Sequence, residues 1–242
     1  MLPPIVVAVA AIALLEGIVR VGIVPAFLVP PPTATFRSLT SQGDLWTALG
    51  QTALGAGVGF ACSALIGTML AAVLSANVWM RRAFYPYAVF FQTVPLVAIA
   101  PLLVVWFGRG VQTTAWAAGI ASVFPVIAAG FAGFRSADPA LLDLFRLHRA
   151  SLWQTFFKLR LPSALPKLFV GLRIAAALAA IGAVVGEFIT GLGLGGILTI
   201  ARTQSDYPKV FAALILSSVL GLVLFGSVDL IGGLLLRHWR NA

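Results

Sequence analysis

The sequence predicts an all-α, polytopic membrane protein with about six transmembrane helices, and three observations carry that prediction. Of 242 residues, 60% are hydrophobic and only 10% are charged, against roughly 25% charged in ordinary soluble domains. Apolar runs of about 20 residues, the length that crosses a ~30 Å hydrocarbon core as a helix, recur to the end of the chain. The basic residues stand in the breaks between those runs. A soluble fold of this size cannot cover so much apolar surface, whereas lipid removes the need. A secreted precursor would instead carry one short apolar stretch near its start. The formal charge of +9 belongs to no polar domain, which argues against nucleic acid as a partner and for the lipid bilayer. Cys62 is the only cysteine, so intrachain disulfides and cysteine metal clusters are excluded; a buried packing role is expected for it.

Residues 1–242 read as a single transmembrane domain. The first span covers about 5–24 and contains Glu16, with Arg20 one helical turn on as its pairing partner. The proline-rich stretch 24–32 cannot continue a helix, because proline lacks the amide donor. After a polar segment, span two covers about 52–74. Its small residues, among them Gly55, Gly59, Ser63 and Gly67, let helices approach closely in lipid. Arg81 and Arg82 mark the next break. Span three, about 87–107, holds Pro95 and Pro101, and Gly108-Arg109-Gly110 turns tightly into span four at about 111–133. Spans five and six cover about 168–189 and 210–236, with the long connection 134–167 before them.

Charge sets the orientation. With the amino terminus in the cytoplasm, six spans return the carboxyl terminus there. Eleven of the sixteen basic residues, Arg81, Arg82, Arg237 and Arg240 among them, then lie inside and five outside, in accord with the positive-inside rule.

The 134–167 connection carries helix punctuation. Asp138 before Pro139 reads as an N-cap and first helical residue, opening a helix to about Arg149. Ser151 and Gln154 form a capping box for a second helix, which runs through Lys158 and ends before Pro162. Phe145, Trp153, Phe156 and Phe157 give this hairpin an exposed aromatic surface. It either engages a partner or lies on anionic headgroups.

The run from Asp143 to Pro162 resembles the signature loop of permease subunits in ATP-binding-cassette (ABC) importers. That loop carries a Glu-Ala-Ala triplet, then Gly, then Ile-x-Leu-Pro. Asp143 stands at the Glu position, Leu144 and Phe145 at the alanines, Arg149 at the glycine, and Leu159, Leu161 and Pro162 at the tail. Thr93-Val94-Pro95, Pro101 through Gly108, Phe124-Pro125, Gly171-Leu172-Arg173-Ile174-Ala175, Gly186-Glu187-Phe188 and Gly191-Leu192-Gly193 are similar to the nitrate, sulfonate and taurine permease branch. They also resemble importers of pyrimidine thiamine precursors and of riboflavin. The resemblance implies a type I importer permease fold in a bacterial inner membrane. It further implies a homodimer over two cytoplasmic ATPase subunits, fed by an extracytoplasmic solute-binding protein. ATP and magnesium would sit on the ATPase, leaving this chain without a cofactor. The implied coupling loop comprises Asp143, Phe145, Arg146, Arg149, Ser151, Trp153, Leu159, Leu161 and Pro162.

Other motifs are weaker. Gly191-Leu192-Gly193-Leu194-Gly195-Gly196 follows a transmembrane helix and lacks a following Lys-Ser, so it reads as an outer loop and not a phosphate cradle. His148 and His238 have no second ligand at metal spacing, and no Ser-His-acid set forms, so neither a metal site nor catalysis is expected. Glu187 and Asp229 are ionisable groups within apolar runs and are pathway candidates by default. Asp229 has Arg237 two turns on; Glu187 has no local partner. Gln92, Thr93 and Pro95 offer polar or freed backbone groups for a substrate pathway, with plain packing around proline kinks as the alternative. An ion-driven secondary transporter or a channel is the rival function.

Overall fold

The computed structural model describes residues 2–240, and no strand occurs among them. The side chains of Arg81, His238 and Arg240 lie outside the described residues. The chain forms α1 (Leu2–Arg20), α2 (Pro32–Ser41), α3 (Gly43–Ala76), α4 (Val78–Thr93), α5 (Leu96–Phe107) and α6 (Val111–Phe134). Then follow α7 (Pro139–Leu147), α8 (Leu152–Thr155), a π turn (Phe156–Arg160), α9 (Leu161–Thr190), α10 (Gly193–Thr203) and α11 (Tyr207–Arg240). Among the described residues, α3, α6, the continuous run through α8 and α9, and α11 are long and apolar enough to cross a membrane. The first and third predicted spans correspond to α1 and to the α4–α5 pair.

The core is α6 packed between α3 and α9, with α11 against α9. Small residues set that arrangement. A Cβ on Gly59 would collide with the Ala115 carbonyl and Ala118, and one on Gly182 with the Ala117 carbonyl and Ala121. The backbones of the three helices therefore touch, which in lipid substitutes packing for the missing hydrophobic drive. Ala118, Ala179, Ala180 and Ala183 fill the seam, and a buried hydrogen bond joins Ser122 Oγ to Ser63 Oγ at 2.7 Å. The outer faces stay apolar, as at Leu65 and Met69 of α3 and Leu230 and Leu234 of α11, all well exposed.

Several expectations change. Span three is two helices: Val94 is extended (φ −72, ψ 123) and Pro95 caps α5. The residue before a proline is driven from the helical region, so the chain breaks there, while Pro101 remains inside α5. The second hairpin helix does not end before Pro162. Leu152–Thr190 is one uninterrupted helical run of 39 residues. A π turn at Phe156–Arg160 shifts the hydrogen-bond ladder just before the proline, a local adjustment that accommodates missing donors. The glycine cluster is not an outer loop: only Gly191 and Leu192 turn the chain, and Gly193–Thr203 form α10. Asp229 pairs at 2.8 Å with Arg173 of α9, not with Arg237, because side chains on neighbouring helices meet where one-helix spacing cannot bring them together. Glu16 does pair with Arg20, at 2.7 Å. Cys62 is exposed, in a groove between α3 and α6 beside Ile66 and Trp116, and not buried as expected.

Candidate functional site

Two assemblies of residues stand out, the hairpin at 138–162 and the cavity beside the α4–α5 break. In the hairpin, Asp138 Oδ1 accepts the Ala140 amide at 2.8 Å, and Pro139 follows as first helical residue. Ser151 and Gln154 close the capping box in both directions, at 3.2 and 2.9 Å. Between them α7 ends in a Schellman motif: the Ala150 amide reaches the Phe145 carbonyl and the Arg149 amide the Arg146 carbonyl, each at 2.9 Å. That motif needs a left-handed residue at its turn. Arg149 occupies it with φ +49. The position where the signature loop carries glycine is thus the one position of the hairpin that only glycine adopts without cost.

The aromatic residues divide into two groups. Phe156 is half-buried and stacks on Phe134 at 5.5 Å, and Leu159 is buried. Leu161 and Pro162 are half-buried at the start of α9. These hold the hairpin to the transmembrane core. Trp153 and Phe157 stack on each other at 5.7 Å and are both exposed, and Phe157 meets Phe156 edge-on at 5.1 Å. Asp143 and Arg146 form an exposed ion pair at 2.9 Å, and Phe145 is half-buried.

The cavity, of about 630 Å³, lies between α3, α4, α5 and α6. Gln92 and Tyr87 line it, with Val94 and Leu96 on either side of the break and Phe124 and Ile127 opposite. Of the pathway residues expected from the sequence, Gln92 therefore faces it. Thr93 turns back onto its own helix, donating to the Phe90 carbonyl at 2.7 Å, and Pro95 acts through the break.

Glu187 lies elsewhere, at the junction of α3, α9 and α10, and is 1% exposed. Its carboxylate accepts from Thr52 Oγ1 at 2.9 Å and from the Gly195 amide at 3.0 Å. Gln51 accepts the Gly193 amide at 3.2 Å. Sequence reasoning missed these partners because Thr52 sits 135 positions away and Gly195 lies beyond the turn that ends α9; Thr52 itself, a hydroxyl in a span of small residues, was the available signal. It also missed Tyr87 and Phe124, whose placement depends on the helix break.

The comparisons agree with this architecture. The family model described as binding-protein-dependent transport system inner membrane component matches residues 63–235. A probable ABC transporter permease protein of Haemophilus influenzae is 33% identical over 231 residues, covering 95% of this chain and 94% of the relative. The formylaminopyrimidine transport permease protein ThiX of Halalkalibacterium halodurans is 34% identical over 219 residues, covering 90% and 87%. The riboflavin transport system permease protein RibX of Chloroflexus aurantiacus is 33% identical, covering 88% and 81%. In fold, the chain is similar to the inward-facing MetNI methionine ABC transporter, with a TM-score of 0.63, 20% identity and coverage of 84% and 97%. The small-residue core, the capped hairpin continuous with a membrane helix and these matches lead to one assignment: the chain belongs to the binding-protein-dependent transport system inner membrane components, as a permease subunit of an ABC importer.

Proposed function

We propose that this chain forms one half of the pathway of an ATP-driven importer of a small organic or inorganic solute, paired with a second copy of itself. Two cytoplasmic ATPase subunits grip the hairpins, and an extracytoplasmic binding protein delivers the solute. The observation that carries the reading is the unbroken run Leu152–Thr190. At 1.5 Å per residue it extends roughly 58 Å, so its foot in the hairpin and its shaft in the core move together. ATP binding closes the ATPase dimer and draws the two feet together. The α9 shafts then tilt against α6 and α11 and switch the cavity from inward-facing to outward-facing, a rigid-element transition between two packed states. ATP and magnesium belong to the ATPase chains, and this chain contributes no cofactor site.

In this reading both termini and the hairpin are cytoplasmic, which the distribution of basic residues supports. The pathway runs past Gln92, Thr93 and Pro95, and Glu187 holds the far end of α9 against α10. Relatives named for formylaminopyrimidine, riboflavin, aliphatic sulfonate and nitrate transport bound the substrate group. The test is reconstitution with the partner ATPase and binding protein in vesicles. Uptake should require ATP hydrolysis and persist when ion gradients are collapsed. Uptake that follows an ion gradient and ignores ATP returns the secondary-carrier reading.

A further inference from the structure

We propose that the face of α9 and α11 around Arg173 and Asp229 is where the second copy of this chain packs, each arginine meeting the other copy's aspartate. The inference deepens the permease reading, whose second copy it places, and rests on it. Arg173 Nη2 donates to Asp229 Oδ1 at 2.8 Å, and the two side chains are 31% and 53% exposed. Both stand within helices long and apolar enough to cross a membrane. At 1.5 Å per residue they lie roughly 8–10 Å inside the hairpin-side ends of the spans at 168–189 and 210–236. Ionisable groups at that depth face a bundle interior or water, not lipid. An arginine can snorkel to the headgroups on its long stem. The short aspartate cannot, and it is the more exposed of the two. Nor is Arg173 fully used within the chain, since its buried Nε has no hydrogen-bond partner among the described residues.

The surroundings fit a protein neighbour. Gly226 and Gly233 of α11 are exposed, and a Cβ on either would meet nothing within 4 Å. Gly232, by contrast, is closed over by the Phe169 ring. At 3.6 residues per turn the two open glycines lie about 20° apart and about 40–60° from Asp229. Glycine weakens a helix relative to alanine, and these two return no packing inside the chain. What small residues permit in lipid is the close approach of another helix. Val170 and Ile174, both half-exposed, continue the face across α9. The charges choose the occupant. A two-fold axis along the membrane normal exchanges the positions of α9 and α11 across the contact. Arg173 and Asp229 stand side by side, so the rotated copy sets its aspartate against this arginine and its arginine against this aspartate. A face carrying one charge of each sign is thus complementary to itself, and the four groups alternate in sign around the axis.

The experiment co-expresses two differently tagged copies with the ATPase and binding protein, and recovery of one tag through the other measures pairing. Arg173→Asp on both copies sets acids against acids, and Asp229→Arg on both sets arginines against arginines. Each should lower recovery at least about tenfold, as an uncompensated interior charge does. Arg173→Asp on one copy with Asp229→Arg on the other restores alternation across the axis only, and recovery should return to near wild type. A pair that serves its own chain alone predicts no such rescue, because both copies still hold like charges side by side. A second measurement keeps the wild-type charges. In a Cys62→Ala background, Gly226→Cys and Gly233→Cys are treated in membranes with a short bis-maleimide. Covalent dimer is expected from at least one of them, and not from Leu65→Cys on the exposed face of α3, even where the charge variants fail to fold. Cross-linking at neither glycine overturns the face, as does a mixture of folded copies that fails to rescue. A wild-type permease that cross-links at these glycines yet retains no ATPase is a different result: it removes the permease reading and leaves the face standing.

Discussion

Thr52 Oγ1 on α3 donates to Glu187 Oε2 on α9 at 2.9 Å, and that one contact ties three helices together. The same carboxylate oxygen accepts the Gly195 amide, while Thr52 Oγ1 accepts the Leu194 amide at 2.9 Å. With Gln51 on the Gly193 amide, three side chains thus satisfy the first amides of α10, groups that a helix start leaves without partners. In a lipid surround each such amide has no water to turn to. An acid in a transmembrane helix is here a fastening as well as a candidate for the pathway.

Replacing Glu187 separates those roles. Glu187→Gln keeps an acceptor oxygen for Thr52 and Gly195 but cannot carry a charge. We expect that variant to assemble with its ATPase and to transport more slowly. Glu187→Ala strands the Gly195 amide, while Thr52 keeps the Ala48 carbonyl, and should cost about 1–3 kcal/mol of stability, the usual penalty for a buried unpaired polar group. Thermal unfolding of the purified permease and uptake in vesicles measure the two effects. Wild-type uptake by an assembled Glu187→Gln complex would confine Glu187 to fastening.

Gly193 provides an independent test of the same junction. Its φ is +61, and a Cβ there would land on the Glu187 carboxylate. Left-handed backbone costs an L-residue about 1–2 kcal/mol before any collision is counted. Gly193→Ala should therefore lower the melting temperature more than alanine at Gly50, a helical position where a Cβ meets nothing within 4 Å. Equal melting temperatures would contradict the packing of α10 on Glu187.

How far the sequence discloses these features depends on distance along the chain. The hairpin caps were legible because Asp138–Pro139 and Ser151–Gln154 each act over at most three residues, and both form as read. The spans were legible because lipid demands about 20 apolar residues in a row. Nothing local shows that Asp229 meets Arg173, or that Thr52 meets Glu187, since helix packing decides those pairs. The continuation of α8 into α9 was hidden for another reason. Pro162 is a helix breaker by rule, and only the π turn before it lets the run continue. The α4–α5 break is the converse case: two prolines stand in one apolar run, and Pro95 breaks it while Pro101 does not.

Arg149 yields a prediction of the opposite sign. With φ +49 it is one of two described non-glycine residues at positive φ. Glycine there removes a strain of about 1–2 kcal/mol, offset by roughly 0.5–1 kcal/mol for glycine's greater freedom when unfolded. Arg149→Gly should thus stabilise the hairpin slightly, and Arg149→Val should destabilise it, read as protease resistance of the 138–162 segment. If ATPase retention nevertheless falls in Arg149→Gly, the guanidinium itself contacts the partner. Arg149→Glu should then weaken retention further.

The sharpest test of the hairpin compares two aromatic residues three positions apart. Phe156 stacks inward on Phe134 and belongs to the cluster with Ala71 and Ala164. Trp153 stacks outward on Phe157 and is 72% exposed. Truncating the first should damage the permease itself, by about 2 kcal/mol or more for a partly buried phenylalanine. Truncating the second removes only an exposed stack on Phe157. At a protein interface, however, an exposed aromatic anchor is worth more than ~2 kcal/mol, about a thirtyfold loss of affinity. We therefore expect Phe156→Ala to lower the melting temperature of the permease alone. Trp153→Ala should leave that temperature unchanged while ATPase retention and solute-stimulated hydrolysis collapse. A hairpin lying on headgroups predicts otherwise, because its binding follows summed charge at about 1 kcal/mol per basic residue. In that case Lys158→Gln would disturb the hairpin as much as Trp153→Ala, and neither would affect hydrolysis. Retention measured on all three variants decides between a foot held by protein and one held by lipid.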